Sequence, residues 1–594
     1  MKLEILDWAI IIAFFIIYLS IGYLVSKKSS KNSEDFFLSG RNMPWWLLGI
    51  SMVATTFSAD TPNLVTGLVR EQGVAGNWGW WAFLLTGMLT TFVYAKLWRR
   101  SKVLTDIEFY ELRYSGKPAA FLRGFRALYL GLIFNVLVMG TVSLAAVKFG
   151  EIMLGLLGWQ TLLITGSITL VYSTMGGLKA VILTDFVQFT IAMIGSVWAC
   201  WYLLDLEQVG GMAQLFQNEI VISKMSFLPN FNEPSNWIPI LLVPLAVQWW
   251  ASYYPGAEPG GGGYIAQRMF SAKDEKNAMS ATLFFNIAHY ALRPWPWILI
   301  ALASLIVYPN LTDIQAAFPN LPVDKLGHDV AYPAMLTLLP TGLLGLVAAS
   351  LIAAFMSTMS TQLNLGASYL VNDLYKRFIK PTANDKELVS AARIFSILSM
   401  LLGLGLGLIL TDATQAFNIL LLLGAGTGAI YILRWFWWRI NAYTEIIAMI
   451  ASLVFAIYLT FIHDQLGIWA LEAWQKTVLG ALLTTITWII ATYLTPETDK
   501  STLRGFYQKI KPSAFGWNKV IDDAKLDGVI IEKEEGQFPL EFAGMVTGCV
   551  TVFSALFTTG FWLYGEFLKA IIFGAITIIG SYIIFRITRK LKFQ

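Results

Sequence analysis

Apolar runs of about 20 residues recur along the chain, separated by shorter polar stretches, and that is the length at which a helix crosses the hydrocarbon core of a bilayer. About fifteen spans are predicted: 6–26, 44–69, 78–98, 124–149, 157–174, 180–204, 237–256, 280–306, 335–365, 390–410, 413–437, 443–463, 474–494, 541–563 and 567–587. The loops support this count. With the N-terminus outside, the first two inside loops hold Lys27, Lys28, Lys31 and Arg41, then Arg99, Arg100, Lys102, Arg113, Lys117, Arg123 and Arg126. Later ones hold Arg268, Lys273 and Lys276, then Lys376, Arg377, Lys380 and Lys386. The outside stretches 205–236 and 307–333 offer only Lys224 and Lys325. This is the asymmetry of the positive-inside rule, and it places the C-terminus in the cytoplasm of a multi-pass protein of the cell (inner) membrane. The first run has Glu4 and Asp7 ahead of it and Lys27 and Lys28 behind, the reverse of a signal peptide. A retained span is expected.

Composition narrows the class. Of 594 residues 56% are hydrophobic and only 13% charged, against about 25% charged in a soluble chain. Mean hydropathy is +0.61. Two cysteines and three scattered histidines give neither a disulfide framework nor a zinc site, and they give a hydrolytic enzyme little to work with. No nucleic-acid partner is expected. The polar stretch 495–540 reads as a solvated cytoplasmic linker. It divides a core with preceding and following helices, 1–494, from two extra spans in 541–594. Arg70 and Glu71, at a span end, read as solvated.

Two spans are interrupted. The second contains Ser58-Ala59-Asp60-Thr61-Pro62-Asn63, and the seventh runs into Pro255-Gly256-Ala257-Glu258-Pro259 and four glycines, 260–263. Unwound backbone in a membrane survives where protein or a water-filled cavity satisfies it. The breaks lie five spans apart, so their units, about 44–204 and 237–437, have opposite orientation. Paired broken helices in inverted repeats place solute and ion sites near the midplane. The ninth span carries Ser357, Ser360 and Thr361 on one helix face with Thr358 beside them, a dense set of the oxygen ligands a hard cation takes. Asp185, near the start of the sixth span, needs a cation or a basic partner. Asp60, Glu258, His289 and Arg293 are the other ionisable groups at depth. Arg293, well inside the eighth span, reads as a pathway charge, the alternative being an internal pair with an acid such as Asp60 or Glu258.

These residues resemble the sodium:solute symporter family, whose members carry sugars, proline, sialic acid, iodide and vitamins. The resemblance covers roughly 5–465. It rests on Asp35 to Arg41, Ser51 to Ser58, Tyr172 to Val181 running into Thr184 and Asp185, and Ala354 to Thr361 followed by Asn372-Asp373-Leu374-Tyr375-Lys376. It implies an all-α polytopic membrane protein with a broken-helix, five-plus-five inverted-repeat (LeuT-like) core. A first sodium would take the carbonyls of Ala54, Phe57 and Ala354 and the hydroxyls of Ser357 and Thr358. A second, present in some members, would take Asp185, Ser357, Ser360 and Thr361. The lysine of the sugar carriers after the second break is absent, and Arg293 lies near that position, so sugar specificity is not carried over. Candidate solute contacts are Asp60, Thr61, Glu258 and Arg293. The expected function is secondary active symport of a small organic solute with one or two Na+ by alternating access. Proton coupling through Asp185 or Asp60, or a sensor built on a transporter scaffold, are the alternatives.

Overall fold

A computed structural model of the chain describes residues 3–29, 33–58, 60–250, 260–319, 321–410, 426–467, 469–534 and 536–593. These residues are helical, without a β-strand among them. Among the described residues ten helices are long and apolar enough to cross a membrane. In chain order the elements used below are α1 (Ile5–Ser29), α2 (Trp45–Thr56), α3 (Asp60–Gln72), α4 (78–101), α5 (Gly116–Leu154), α6 (158–176), α7 (Gly177–Leu204), α8 (Pro234–Ala246), α9 (Gly263–Ser271), α10 (Glu275–Val307), α11 (Leu343–Ile379), α12 (Asp385–Ile409), α13 (Ala442–Leu466), α14 (Ala473–Leu494), α15 (Lys500–Ile510), α16 (Asn518–Leu526), α17 (Phe538–Leu563) and α18 (Phe567–Lys590). Of the expected span 413–437, residues 413–425 lie outside the described residues, and a short helix, Gly428–Leu433, follows them.

The first interruption is present in the fold. Helix α2 ends where Phe57 turns extended (φ −100°, ψ 91°), and α3 starts afresh at Asp60. Pro62 sits in the first turn of α3, where its missing N–H has no intrahelical partner to lose. Of the second break, Pro255 to Pro259 lie outside the described residues, between α8 and α9. Gly260, Gly261 and Gly263 all take positive φ (87°, 80° and 54°), which residues with a Cβ adopt only under strain. The expected loop after Gly263 is instead helix α9, buried at every position and packed on α2 and α11. Arg268, counted above with the inside loops, is therefore an interior residue.

Two boundaries shift. Spans expected at 157–174 and 180–204 are joined directly, with a single residue, Gly177 (φ 56°, ψ −162°), breaking the helix between them. A Cβ there would come within 2.5 Å of the carbonyl oxygen of Phe36. The span expected from 335 begins at Leu343. The buried carboxylate of Asp7 in α1 accepts hydrogen bonds from the amides of Gly342 (2.7 Å) and Gly345 (2.8 Å), capping α11 across the fold.

The core is a bundle in which α11 packs along α7, α5 packs along α12, and α2 lies between α7 and α10. Helices α17 and α18 form a hairpin whose α17 packs against α4 and α10. Close approach follows from small residues: Gly544 and Gly548 sit on Phe92 and Met88, and Gly560 on Trp295 and Phe227. A buried ion pair, Lys96 with Glu541, fixes the register.

The polar stretch 495–540 is folded, not solvated throughout. Helix α15 buries Leu503, Phe506, Tyr507 and Ile510, and Trp517 is fully enclosed ahead of α16. Trp517 donates its indole N–H to the carbonyl of Trp435 (2.9 Å), and the guanidinium of Arg113 lies 4.9 Å from its ring. Arg70 is also corrected. It is buried, donating to the carbonyl and hydroxyl of Ser304 (2.9 Å each) and to the carbonyl of Tyr308 (2.7 Å).

Candidate ion and solute site

Where α2 ends, its last turn faces the middle of α11. The hydroxyl of Thr358 donates to the carbonyl of Thr55 at 3.1 Å. Ala54 and Phe57 on α2, and Ala354, Ser357 and Thr358 on α11, are all buried along this contact. The amide of Phe57 donates to the carbonyl of Ala54 (3.1 Å), tightening the turn that ends the helix. The five residues expected at a first cation thus lie on two facing helices, one of them interrupted at this level.

One turn along, Asp185 of α7 is fully buried between the same helices. Its Oδ1 accepts from the hydroxyl of Ser357 (2.6 Å) and its Oδ2 from that of Ser51 (2.5 Å). Thr361 stands 3.3 Å from Thr55, oxygen to oxygen. Ser360 donates to the carbonyl of Ser357 (3.0 Å), within its own helix. Asp185, Ser357 and Thr361 are therefore brought together, with Ser51 and Thr55 added to the set. The sequence reading missed Arg268, whose guanidinium enters this cluster from α9: its Nη2 donates to Thr361 (2.9 Å) and Thr55 (3.2 Å) and lies 3.6 Å from Asp185 Oδ2.

A cavity of about 700 Å³ opens beside this crossing. Thr55 and Thr358 form part of its wall, so the cation level and the cavity share residues. Asp60, Thr61 and Arg293 line it as well, together with Thr56, Trp80, Tyr264 and His289. Asp60 stands in the first turn of α3, where the helix dipole favours a carboxylate, and the hydroxyl of Ser58 bonds to it. Thr61 accepts from the amide of Ser58 (3.3 Å) and donates to the carbonyl of Thr56 (3.4 Å), stitching the two sides of the break.

Arg293 follows a wide turn of α10 at Ala288–Leu292 that sets His289 and Arg293 side by side, Nε2 to Nη2 at 3.4 Å. It donates to the carbonyl of Val53 (3.4 Å) and the hydroxyl of Thr56 (3.3 Å), and its guanidinium lies 5.4 Å from the ring of Trp297. Trp80 and Tyr290 stack at 5.8 Å beside it. Glu258 lies outside the described residues.

The sequence model of the sodium:solute symporter family matches residues 36–452. Among curated proteins, the sodium/glucose cotransporter of Vibrio parahaemolyticus is 28% identical over 484 residues, covering 77% of this chain and 85% of the relative. The sodium/mannose cotransporter of Bos taurus is 26% identical, covering 78% and 80%. Among solved structures, a substrate-bound outward-open Na+-coupled sialic acid symporter superposes with a TM-score of 0.65 at 19% identity, covering 84% of this chain and 99% of the other. That likeness establishes the fold, and the family match extends over both broken helices and the crossing at Thr358. The chain belongs to the sodium:solute symporter family.

Proposed function

We propose that the protein imports a small polar organic solute together with Na+, by alternating access, with its N-terminus outside and its C-terminus in the cytoplasm. The observation that carries this reading is the shared wall: Thr55 and Thr358 border both the carbonyl-and-hydroxyl crossing and the 700 Å³ cavity. A cation bound at the crossing would neutralise oxygen dipoles on two helices that must move relative to one another. It would hold the interrupted end of α2 in the shape the solute meets. The cavity volume lies within the range of small-molecule pockets. Its wall offers a carboxylate (Asp60), hydroxyls (Thr56, Thr61), aromatic faces (Trp80, Tyr264) and a guanidinium (Arg293). That set suits a polyhydroxylated solute, one carrying a charged group included. Relatives named for glucose and mannose, and a structural neighbour named for sialic acid, make sugars and sugar acids the first solutes to try.

The test is uptake into proteoliposomes of radiolabelled glucose, mannose, myo-inositol, sialic acid and proline, driven by an inward gradient of Na+, K+ or H+. Accumulation of one of these solutes with Na+, and not with K+ or H+, supports the proposal. Equal uptake in all three gradients overturns the coupling to sodium.

A further inference from the structure

The cavity wall runs from Asp60 and Arg293 past Glu71 to Lys325 and Asp329, in the stretch assigned to the outside. Tyr264 and Ile265, in the first turn of α9, belong to the same wall. From Thr358, also in that wall, α11 continues towards its cytoplasmic end, and beyond the cavity it is joined to α9 by a seam of buried hydrogen bonds. Gln267 of α9 donates to the side chain of Asn364 (2.9 Å), and to the carbonyl of Phe37 (3.2 Å) ahead of α2.

Asp106 completes this seam at the start of α9. Gly262, the residue ahead of the helix, has no side chain with which to cap it. The cap comes instead from the loop after α4. The buried Asp106 carboxylate accepts through Oδ2 from the amide of Gly263 (2.9 Å) and through Oδ1 from the phenol of Tyr369 on α11 (2.6 Å). A carboxylate at a helix N-terminus satisfies an amide with no intrahelical partner and meets the positive end of the dipole. The loop that carries Asp106 is itself fixed. Thr105 donates to Asp373 of α11 (2.6 Å), and Arg123 of α5 donates to both Asp373 and Glu111 (2.7 Å each). The carboxylate is thus mounted on α5 and α11, and it holds α9. A solute that leaves for the cytoplasm between α9 and α11 has to part these bonds.

We propose that Asp106 is the latch of an inner gate: its carboxylate holds the first turn of α9 against α11 while the cavity faces outside, and both bonds part when the cavity opens to the cytoplasm. Asp106 is a positioning residue. It acts on the cavity through Tyr264, the neighbour of the amide it caps. The latch rests on the alternating-access reading above and names the contact that the cycle makes and breaks.

The experiment places a cysteine reporter, Thr141→Cys, in the cavity wall on α5. A membrane-impermeant methanethiosulfonate reagent is applied to intact cells and, separately, to inside-out membrane vesicles. The chain without the reporter, whose Cys200 is buried and Cys549 half-buried, gives the background. The ratio of the outside rate to the inside rate follows the equilibrium between the two open forms. With Asp106 intact the reporter is expected to react faster from outside. In Asp106→Ala the outside rate should fall and the inside rate rise, so that the ratio drops about tenfold, as loss of hydrogen bonds to a charged group implies. Tyr369→Phe, which removes one of the two bonds, should lower it about threefold. An unchanged ratio in a folded Asp106→Ala overturns the latch, and so do two rates that rise together, as a merely loosened structure would give. If Asp106→Ala does not reach the membrane, Tyr369→Phe decides by the same criteria. A reporter that reacts only from the cytoplasmic side with Asp106 intact would instead overturn the orientation on which the latch rests.

Discussion

Thr358 is the residue on which sodium coupling can be tested with the smallest change. Its hydroxyl has one geometric role, reaching from α11 to the end of α2 at 3.1 Å. Removing a ligand to a charged group costs about 1.5–3 kcal/mol, so Thr358→Ala is expected to raise the half-saturating Na+ concentration for uptake by about tenfold or more. Thr358→Ser, which keeps the oxygen, should stay near the wild type. Uptake kinetics across a Na+ series check both, and an unchanged Na+ dependence in the alanine variant would remove Thr358 from the ion site. Asp7 allows a contrasting measurement far from the ion. Its carboxylate caps α11 through Gly342 and Gly345. Asp7→Ala is expected to cost about 0.5–2 kcal/mol, as lost caps do, lowering the melting temperature while leaving the Na+ dependence of uptake where it was.

At this scale the hydroxyls were legible because Ser357, Thr358, Ser360 and Thr361 crowd an apolar run, and Asp185 because a carboxylate in such a run needs a partner. Arg268 was not. It follows four glycines, arginines are common in inside loops, and the positive-inside pattern absorbed it without strain. The clue was its flanks: Ile265, Ala266, Met269 and Phe270 surround it with apolar residues, which a solvated loop has no reason to carry. Arg70 misled for the same reason. Its span-end position said nothing about the carbonyls of Ser304 and Tyr308 that enclose it, and these come from a helix more than 200 residues away.

Among the elements, the interruption of the second span was readable because its proline acts locally, whereas the docking of residues 500–526 depends on surfaces distant in the chain. Its composition is polar, but Leu503, Phe506, Tyr507 and Ile510 fall at i, i+3, i+4 and i+7, an amphipathic helix whose apolar face must be covered. The cover comes from Arg113 and Trp435 in the bundle, with Trp517 as the fully buried anchor. Truncating a buried tryptophan costs about 3–5 kcal/mol, which is as much as so small a unit gains from docking. Trp517→Ala is therefore expected to release α15 and α16 from the bundle. Limited trypsinolysis in detergent should then cut at Lys509 and Lys519 at least ten times faster than in the wild type, while the spanning helices stay intact. Cleavage at the wild-type rate would show that the segment is held by something other than its tryptophan. Gly177 makes a second test of an element boundary. With φ at 56° and the Phe36 carbonyl 2.5 Å from where a Cβ would lie, Gly177→Ala should lower the yield of folded protein, read as the monodisperse fraction by size-exclusion chromatography.

For the whole molecule the number of ions sets what the fold can achieve. Each Na+ entering a cell at 100 mV, inside negative, gains about 2.3 kcal/mol from the potential. A tenfold Na+ gradient adds about 1.4 kcal/mol. One ion then supplies about 3.7 kcal/mol, and a neutral solute can be concentrated at most about 500-fold; two ions supply about 7.4 kcal/mol and raise that ceiling to about 10⁵-fold. The accumulation ratio reached in tight proteoliposomes, with the potential clamped by a potassium gradient and valinomycin, therefore counts the ions that cross with each solute. A tenfold steeper Na+ gradient is expected to raise the plateau about tenfold for one coupled ion and about a hundredfold for two. A plateau that does not move with the Na+ gradient would overturn the coupling itself.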